Sequence, residues 1–205
     1  MLHDMDDGMN APADRSAIRN AEANIAIVDA ARVVIAERGL VGMSLRTVAE
    51  QAEISVGSIS YRIGDRAALV AAVIAREIDL ADILVRDYLT RLDGIEPIAA
   101  GLLPDLVSAW LDLMAGEQRI SAIVTCELAL FASRMPEAVP DVSRLLDRSV
   151  AMWREILRLS PDGDRLADAI DAYCRDERPF SIALRDIVDY RLLRQSTIRA
   201  LLRDP

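Results

Sequence analysis

Residues 44–63, SLRTVAEQAEISVGSISYRI, decide the fold of this chain. Within them, a serine stands where it can cap each of two short helices, Ser44 for the first and Ser55 for the second. The first helix is predicted to end at about Ala52, so that only a very short break separates it from the second. Two short helices joined by such a tight turn are typical of a helix-turn-helix, whose second helix enters the major groove of DNA.

The second of these helices has an outer face of small polar and basic side chains. Ser58 and Ser60 can hydrogen-bond several base edges, and Arg62 can bind guanine in a bidentate manner. Arg46 and Arg66, on the flanking helices, stand where phosphates would pass. The candidate DNA-binding residues are therefore Ser44, Arg46, Ser55, Val56, Gly57, Ser58, Ser60, Tyr61, Arg62 and Arg66. The alternative is an ordinary helical hairpin with a solvated arginine face.

Apolar residues recur at spacings of three and four along nearly the whole chain, which predicts an all-α fold. A first helix is predicted from about Asn20 to Arg38, with Gly39 as its stop. A long helix, capped by Asp65, should follow the helix-turn-helix and reach about Leu92. The predicted organisation is a disordered acidic tail over residues 1–14, a three-helix DNA-binding domain over 15–64 and a second helical domain over 65–205.

The composition excludes several kinds of chemistry. The chain has one histidine, which excludes a zinc or catalytic centre built from several imidazoles. All 24 basic residues are arginine, so Schiff-base chemistry and a P-loop lysine are excluded as well. Cys126 and Cys174 lie in apolar segments and are expected to be buried, reduced thiols. We find no nucleophile–base pair, and we therefore predict a protein without catalytic residues, metal ligands or cofactors.

The charge of the chain is unevenly distributed. The net charge is −9, yet residues 15–70 are almost neutral, so any nucleic-acid surface has to be local. No apolar run approaches the roughly 20 residues that cross a bilayer, and residues 1–14 lack the apolar core of a signal peptide. We expect a cytoplasmic protein without a membrane partner.

The block from Ala21 to Val73 resembles the DNA-binding domain of the tetracycline-repressor (TetR) family of bacterial transcription regulators. The residues that match the family pattern are Ser44, Val48, Ala49, Ala52, Ser55, Gly57, Ser58, Ile59, Tyr61, Asp65 and Leu69. Beyond this block, the resemblance extends only to the length of the chain and the number of helices.

The chain departs from the family pattern at several positions of the DNA-binding block. Glu53 stands where the family usually has glycine, and a side chain there costs about 1 kcal/mol if φ is positive. Ser60 and Arg62 alter the surface that reads bases, so the operator sequence cannot be taken from a relative. Arg66 replaces the usual lysine and keeps a phosphate contact.

The resemblance implies the rest of the mechanism. Such proteins are homodimers that bind a near-palindromic operator in double-stranded DNA, and most act as repressors. A small-molecule inducer binds the C-terminal domain, here residues 65–205, and releases the operator. The family's dimer interface implies the candidates Leu146, Val150, Trp153, Ile187, Tyr190, Ile198 and Leu201. Burial inside the single chain is the alternative for these residues.

Four residues on central helices are candidates for the ligand pocket. Trp110, Met114 and Phe131 lie on apolar faces, where core packing is the alternative. Glu127 is predicted to be buried, either in an ion pair with an arginine or as a recognition group for a cation or an N–H donor. Few arginines are expected to point inwards, which favours an apolar or amphipathic ligand. A second function remains open, a helix-turn-helix protein that is constitutive or controlled by a protein partner.

Overall fold

The computed structural model describes residues 11–92, 102–160, 162–184 and 188–202. Within these ranges the chain forms α-helices and no strand, so the all-α prediction is confirmed. The helices are α1 (Ala11–Gly42), α2 (Leu45–Gln51), α3 (Val56–Arg62), α4 (Arg66–Leu92), α5 (Leu103–Ala115), α6 (Arg119–Ala132), α7 (Val139–Ile156), α8 (Gly163–Leu184) and α9 (Val188–Leu201). None of the helices in the described ranges is long and apolar enough to span a bilayer.

Helix α1 is longer than the sequence pattern predicts. It begins at Ala11 rather than near Asn20, so residues 11–14 of the expected tail are helical, while residues 1–10 lie outside the described residues. Residues 16–20 of the added stretch are exposed, so burial does not account for the longer helix. Gly39 interrupts α1 as predicted, with φ 69° and ψ 168°, but the chain then resumes a short helical segment up to Gly42.

The first hydrophobic core joins the three N-terminal helices to the rest of the chain. Its fully buried side chains include Ile35 of α1, Ile59 of α3, Leu69 of α4 and Leu128 of α6. Because α6 takes part, this core extends across the domain boundary predicted after residue 64. The DNA-binding helices are thus packed directly on the second domain.

The second hydrophobic core lies between the C-terminal half of α4 and helices α5, α7, α8 and α9. At its centre the indole of Trp110 packs edge-on against Tyr88 and Trp153, with ring centroids 5.2 and 6.3 Å apart. Such edge-to-face pairs are a favourable geometry for aromatic rings. Cys174 is buried in this core, and burial raises the pKa of its thiol to about 12.

Three of the predicted dimer-interface residues, Val150, Trp153 and Ile198, are buried in the interior of the single chain. Trp153 and Ile198 are fully buried, Val150 is buried, and Leu146 packs half-buried against the first core. An apolar stripe at helical spacing shows that a helix face is covered, but not which element covers it. The alternative, burial inside the single chain, therefore holds for Val150, Trp153 and Ile198. Ile187 and the side chains of Tyr190 and Leu201 lie outside what the structure describes.

Candidate nucleic-acid interface and ligand cavity

The helix-turn-helix is fixed by the two serine caps. The backbone N–H of Thr47 donates to Ser44 Oγ at 3.1 Å, and the N–H of Ser44 donates to Thr47 Oγ1 at 2.9 Å, which completes a capping box on α2. The N–H of Ser58 donates to Ser55 Oγ at 3.1 Å and caps α3. Both predicted caps are confirmed, because a cap depends on local sequence alone.

The turn between α2 and α3 contains a strained residue. Glu53 has φ 55°, the left-handed conformation that favours glycine. Glu53 thus has the positive φ at which a side chain is expected to be unfavourable. A side chain here costs about 1 kcal/mol relative to glycine. The turn keeps its shape because Ile59 of α3 and Val48 of α2 are both fully buried beneath it.

The outer face of α3 is open to solvent. Ile59 anchors the inner face, whereas Tyr61 is 90% exposed and Ser60 and Arg62 are exposed beside it. Val56, Gly57 and Ser55 are exposed at the N-terminus of the helix, while Ser44 and Ser58 are partly covered and serve the caps. The helix thus presents hydroxyls, one phenol and one guanidinium on a solvent-exposed side.

The three candidate DNA-binding arginines differ in how their side chains are held. Arg46 forms an exposed ion pair with Glu50, with Nε 3.1 Å from Oε1. Arg62 makes only a long hydrogen bond to Asn20 Oδ1, at 3.4 Å. Arg66 instead donates to two carbonyls at the end of α1, those of Leu40 at 2.9 Å and Met43 at 3.0 Å. This role of Arg66 is not predicted by the sequence, because it depends on how α4 crosses α1.

A cavity lies between α4, α5, α6, α7 and α8. Its volume is about 60 Å³, it is partly open to solvent, and its wall is mostly apolar. Trp110 and Met114 belong to the wall, as predicted. Phe131 does not line it and packs against the first core. The pocket predicted around the four candidates is therefore corrected to one that includes two of them.

Glu127 takes neither of the roles considered for it. Its Oε2 accepts a hydrogen bond from the backbone N–H of Leu40 at 2.9 Å. That N–H follows the break at Gly39, where the helical hydrogen-bond pattern of α1 is interrupted. Glu127 is part of α6 and does not line the cavity. Spacing along α6 cannot reveal this contact, because it depends on the rotation of α6 against α1.

The polar part of the cavity wall contains one acid and two arginines. Glu77 is 2% exposed, and its Oε1 lies 2.6 Å from Arg32 Nε. Arg148 Nε lies 2.6 Å from Asp82 Oδ1. Arg178 is 7% exposed and also lines the cavity. The expectation that few arginines point inwards is wrong here, because long side chains of α7 and α8 reach into the space between the helices.

Comparison of the sequence with models of known protein families gives a match in the N-terminal part of the chain. Residues 27–73 match the family model for bacterial regulatory proteins of the tetR family. This stretch is similar to the DNA-binding domain of the TetR family. The match covers the helix-turn-helix and the flanking parts of α1 and α4, which confirms the resemblance seen in the sequence. No curated protein is significantly similar in sequence to this chain.

Solved structures of transcriptional regulators and of a multidrug binding protein share the fold over most of the chain. A putative TetR-family regulator from Mesorhizobium loti has a TM-score of 0.67 at 16% identity, covering 90% of this chain and 96% of its own. FadR from Bacillus subtilis, solved with stearoyl-CoA, gives 0.66 at 18% identity, covering 87% and 97%. The multidrug binding protein EbrR, solved with imidazole, gives 0.59 at 24% identity, covering 90% and 92%. This is the fold of a TetR-family regulator, with an N-terminal DNA-binding domain and a helical C-terminal domain.

A polar network connects the cavity wall to α1, the first helix of the N-terminal domain, called the TetR domain below because it contains the matched residues 27–73. Arg32 of α1 binds Glu77 of α4 and also donates to Ser121 Oγ of α6 at 2.8 Å. Asp29 of α1 accepts hydrogen bonds from Arg76 of α4 at 3.1 and 3.2 Å. Burial alone would raise the pKa of Asp29, but the hydrogen bonds from Arg76 and Arg32 outweigh it and leave the pKa lowered. Glu77 and Ser121 both line the cavity, so the wall and α1 share side-chain contacts.

Proposed function

We propose that this protein is a ligand-responsive transcriptional repressor. It binds a near-palindromic DNA operator as a homodimer in the cytoplasm and releases the operator when a small molecule enters the cavity. The observation that carries the proposal is the ion pair of Glu77 with Arg32, which joins the wall of the cavity to the TetR domain. A ligand that displaces or reorients Glu77 alters the contact that holds α1 against α4.

The DNA-binding part of the proposal rests on α3. Its outer face carries Ser60, Tyr61 and Arg62, all exposed. A helix of this kind fits the major groove, and Arg62 is the side chain best placed for a bidentate contact to guanine. Two copies related by a two-fold axis would read half-sites about 34 Å apart.

The ligand-response part rests on the cavity and its connection to the TetR domain. A ligand shifts the population between two arrangements only by its difference in affinity for them. The Glu77–Arg32 contact supplies such a difference, because it belongs to both the wall and the domain interface. Structural relatives that hold stearoyl-CoA and imidazole support a small-molecule role for this fold. The open cavity favours ligand sensing over the alternative of a constitutive or partner-controlled protein.

The homodimer part rests on apolar side chains that the chain leaves exposed. Phe180 of α8 is 57% exposed and Leu192 of α9 is 60% exposed. Large apolar side chains on neighbouring helices are typical of a surface that a partner covers. They replace the buried residues first considered for the interface.

Selection of operator sequences from random DNA, with the full chain, tests the proposal. An inverted repeat should be recovered. Arg62→Ala should weaken binding to it by about 1–3 kcal/mol and relax the sequence preference at one base pair of each half-site. Arg165→Ala is the matched control, because this arginine is 61% exposed on α8 and far from α3 in the chain. Recovery of no repeat, or equal effects of the two substitutions, would contradict the proposal.

A further inference from the structure

Three hydrogen-bond donors in the wall of the cavity have no hydrogen-bond acceptor among the described residues: Trp110 Nε1, Arg148 Nε and Arg178 Nε. Arg148 still has Asp82 as an ion-pair partner, which leaves Trp110 and Arg178 with neither among those residues. Trp110 is 3% exposed and Arg178 is 7% exposed. Within the described parts of the chain, neither Trp110 Nε1 nor Arg178 Nε finds a hydrogen-bond partner. Buried donors are normally satisfied, because an unmade hydrogen bond inside a protein is costly. All of these unsatisfied groups are donors, so a ligand that completes their hydrogen bonds has to bring acceptors.

The charges of the wall point to the same kind of ligand. The carboxylate of Glu77 is neutralised by Arg32, and the guanidinium of Arg148 by Asp82. No ion pair joins Arg178 to an acid among the residues that the structure describes. The wall therefore has one positive charge in excess. A cationic ligand would find the only acid of the wall already occupied.

The shape of a guanidinium narrows the choice further. An Nε–H and the neighbouring Nη–H point in parallel and match the two oxygens of a carboxylate. The remaining wall is apolar and includes Leu80, Leu84, Val85 and Met114. A single excess charge matches a monoanion better than a phosphate that carries two charges.

We propose that the cavity binds an amphipathic monocarboxylate. Its head group accepts hydrogen bonds from Arg178 and from the indole N–H of Trp110, and its apolar part lies along the leucine side of the wall. This inference rests on the proposed function, since it names the class of ligand that the cavity senses. It replaces the cationic ligand that Glu127 suggested in the sequence.

Calorimetric titration of the full chain, without DNA, tests the inference. The probes are octanoate, octan-1-ol and octylamine, which share a tail and differ only in the head group. Octanoate should bind about tenfold more tightly than the alcohol, as expected when a buried charge gains a hydrogen-bonded partner. Tighter binding of octylamine, or no binding of octanoate at millimolar concentration, would overturn the inference.

Variants assign the effect to the two donors. Arg178→Gln should abolish the preference for octanoate over octan-1-ol, whereas Arg165→Gln should keep it, because that side chain is exposed on the same helix. Trp110→Phe keeps a six-membered aromatic ring and removes the five-membered ring with its N–H, so it should weaken octanoate about threefold to tenfold more than it weakens octan-1-ol. Trp110→Phe also tests the inference if the Arg178→Gln variant does not fold. A preference for octanoate that survives both substitutions would refute the assignment.

The test separates the two proposals. Octanoate binding is measured on the free protein, and operator recognition is measured by selection from random DNA. A recovered operator without carboxylate binding would leave the regulator standing and remove this ligand class. Carboxylate binding that depends on Arg178, without any recovered operator, would do the reverse.

Discussion

The carboxylate of Glu127 accepts a hydrogen bond from the backbone N–H of Leu40, with 2.9 Å between Oε2 and N. The two residues belong to different helices, α6 and α1, and lie 87 positions apart in the chain. The bond satisfies a donor that the interruption of α1 at Gly39 leaves outside the regular helix. A side chain of α6 thus binds the backbone near the end of α1, the helix that precedes the helix-turn-helix.

The first prediction concerns this contact. Glu127→Ala should lower the free energy of unfolding by about 1–2 kcal/mol, because it leaves the half-buried N–H of Leu40 without an acceptor. Glu127→Gln keeps an oxygen that can accept the bond and should stay close to the wild-type value. Urea unfolding followed by circular dichroism measures both. If the alanine variant is as stable as the glutamine variant, the bond does not contribute to stability.

The second prediction concerns the break in α1. Gly39→Ala should destabilise the fold by about 1–2 kcal/mol, because φ is 69° and alanine is strained there. Its Cβ would also stand 3.3 Å from Glu127 Oε2. Gly57→Ala is the control: this glycine lies in α3, and the nearest atom to an added Cβ is Ser55 Oγ at 3.8 Å. That change should not destabilise the fold, since alanine favours a helix. Equal losses at both sites would argue against strain at Gly39.

The third prediction concerns the turn of the helix-turn-helix. Glu53→Gly should raise the free energy of unfolding by about 0.5–1 kcal/mol, because glycine adopts φ near 55° without strain. Glu50→Gly, in α2, should lower it by about 1 kcal/mol, since glycine is unfavourable inside a helix. Thermal unfolding distinguishes the opposite signs. A loss of stability in both variants would show that Glu53 contributes more than its backbone costs.

The fourth prediction separates two arginines that a sequence reading treats alike. Arg66→Ala should cost about 1 kcal/mol of stability, because it removes the donors that bind the carbonyls of Leu40 and Met43. Arg46→Ala should change stability by less than about 0.5 kcal/mol, because its pair with Glu50 is solvent-exposed. If each also contacts one phosphate, both should reduce the salt dependence of DNA binding by about one. Chemical unfolding and anisotropy titrations at several salt concentrations check the two effects separately.

The fifth prediction concerns self-association. Phe180→Asp should weaken the homodimer at least about tenfold, because it places a charge where an exposed apolar side chain of α8 is proposed to contact the partner. Leu159→Asp is the control, since Leu159 is similarly exposed, at 59%, but follows α7 rather than lying on α8 or α9. Analytical ultracentrifugation over a dilution series reports the association constant. A wild-type protein that sediments as a monomer would rule out the dimer altogether.

The accuracy of sequence prediction here follows the range of the interactions involved. The caps at Ser44 and Ser55 join residues three positions apart, so the sequence alone indicates them. The contact of Glu127 with Leu40 and the burial of Trp153 depend on how whole helices rotate against one another. Periodicity identifies the apolar face of a helix but not its neighbour. The fold and the two short helices with their caps were therefore predictable, whereas the residues that wall the cavity and the burial of Trp153 were not.

Helix α4 runs without interruption from Arg66, beside the recognition helix, past Leu80 in the cavity wall to Leu92. At a rise of 1.5 Å per residue, Leu80 lies about 21 Å along the axis from Arg66. A rotation of α4 by about 5° about a point near Leu80 therefore displaces its Arg66 end by about 2 Å. Arg66 donates hydrogen bonds to the carbonyls of Leu40 and Met43 at the end of α1, so this displacement of α4 also moves α1. If a small molecule moves α4 as the proposed function requires, an ångström-scale adjustment at the cavity becomes a displacement of about 2 Å at the end of α4 beside the recognition helix.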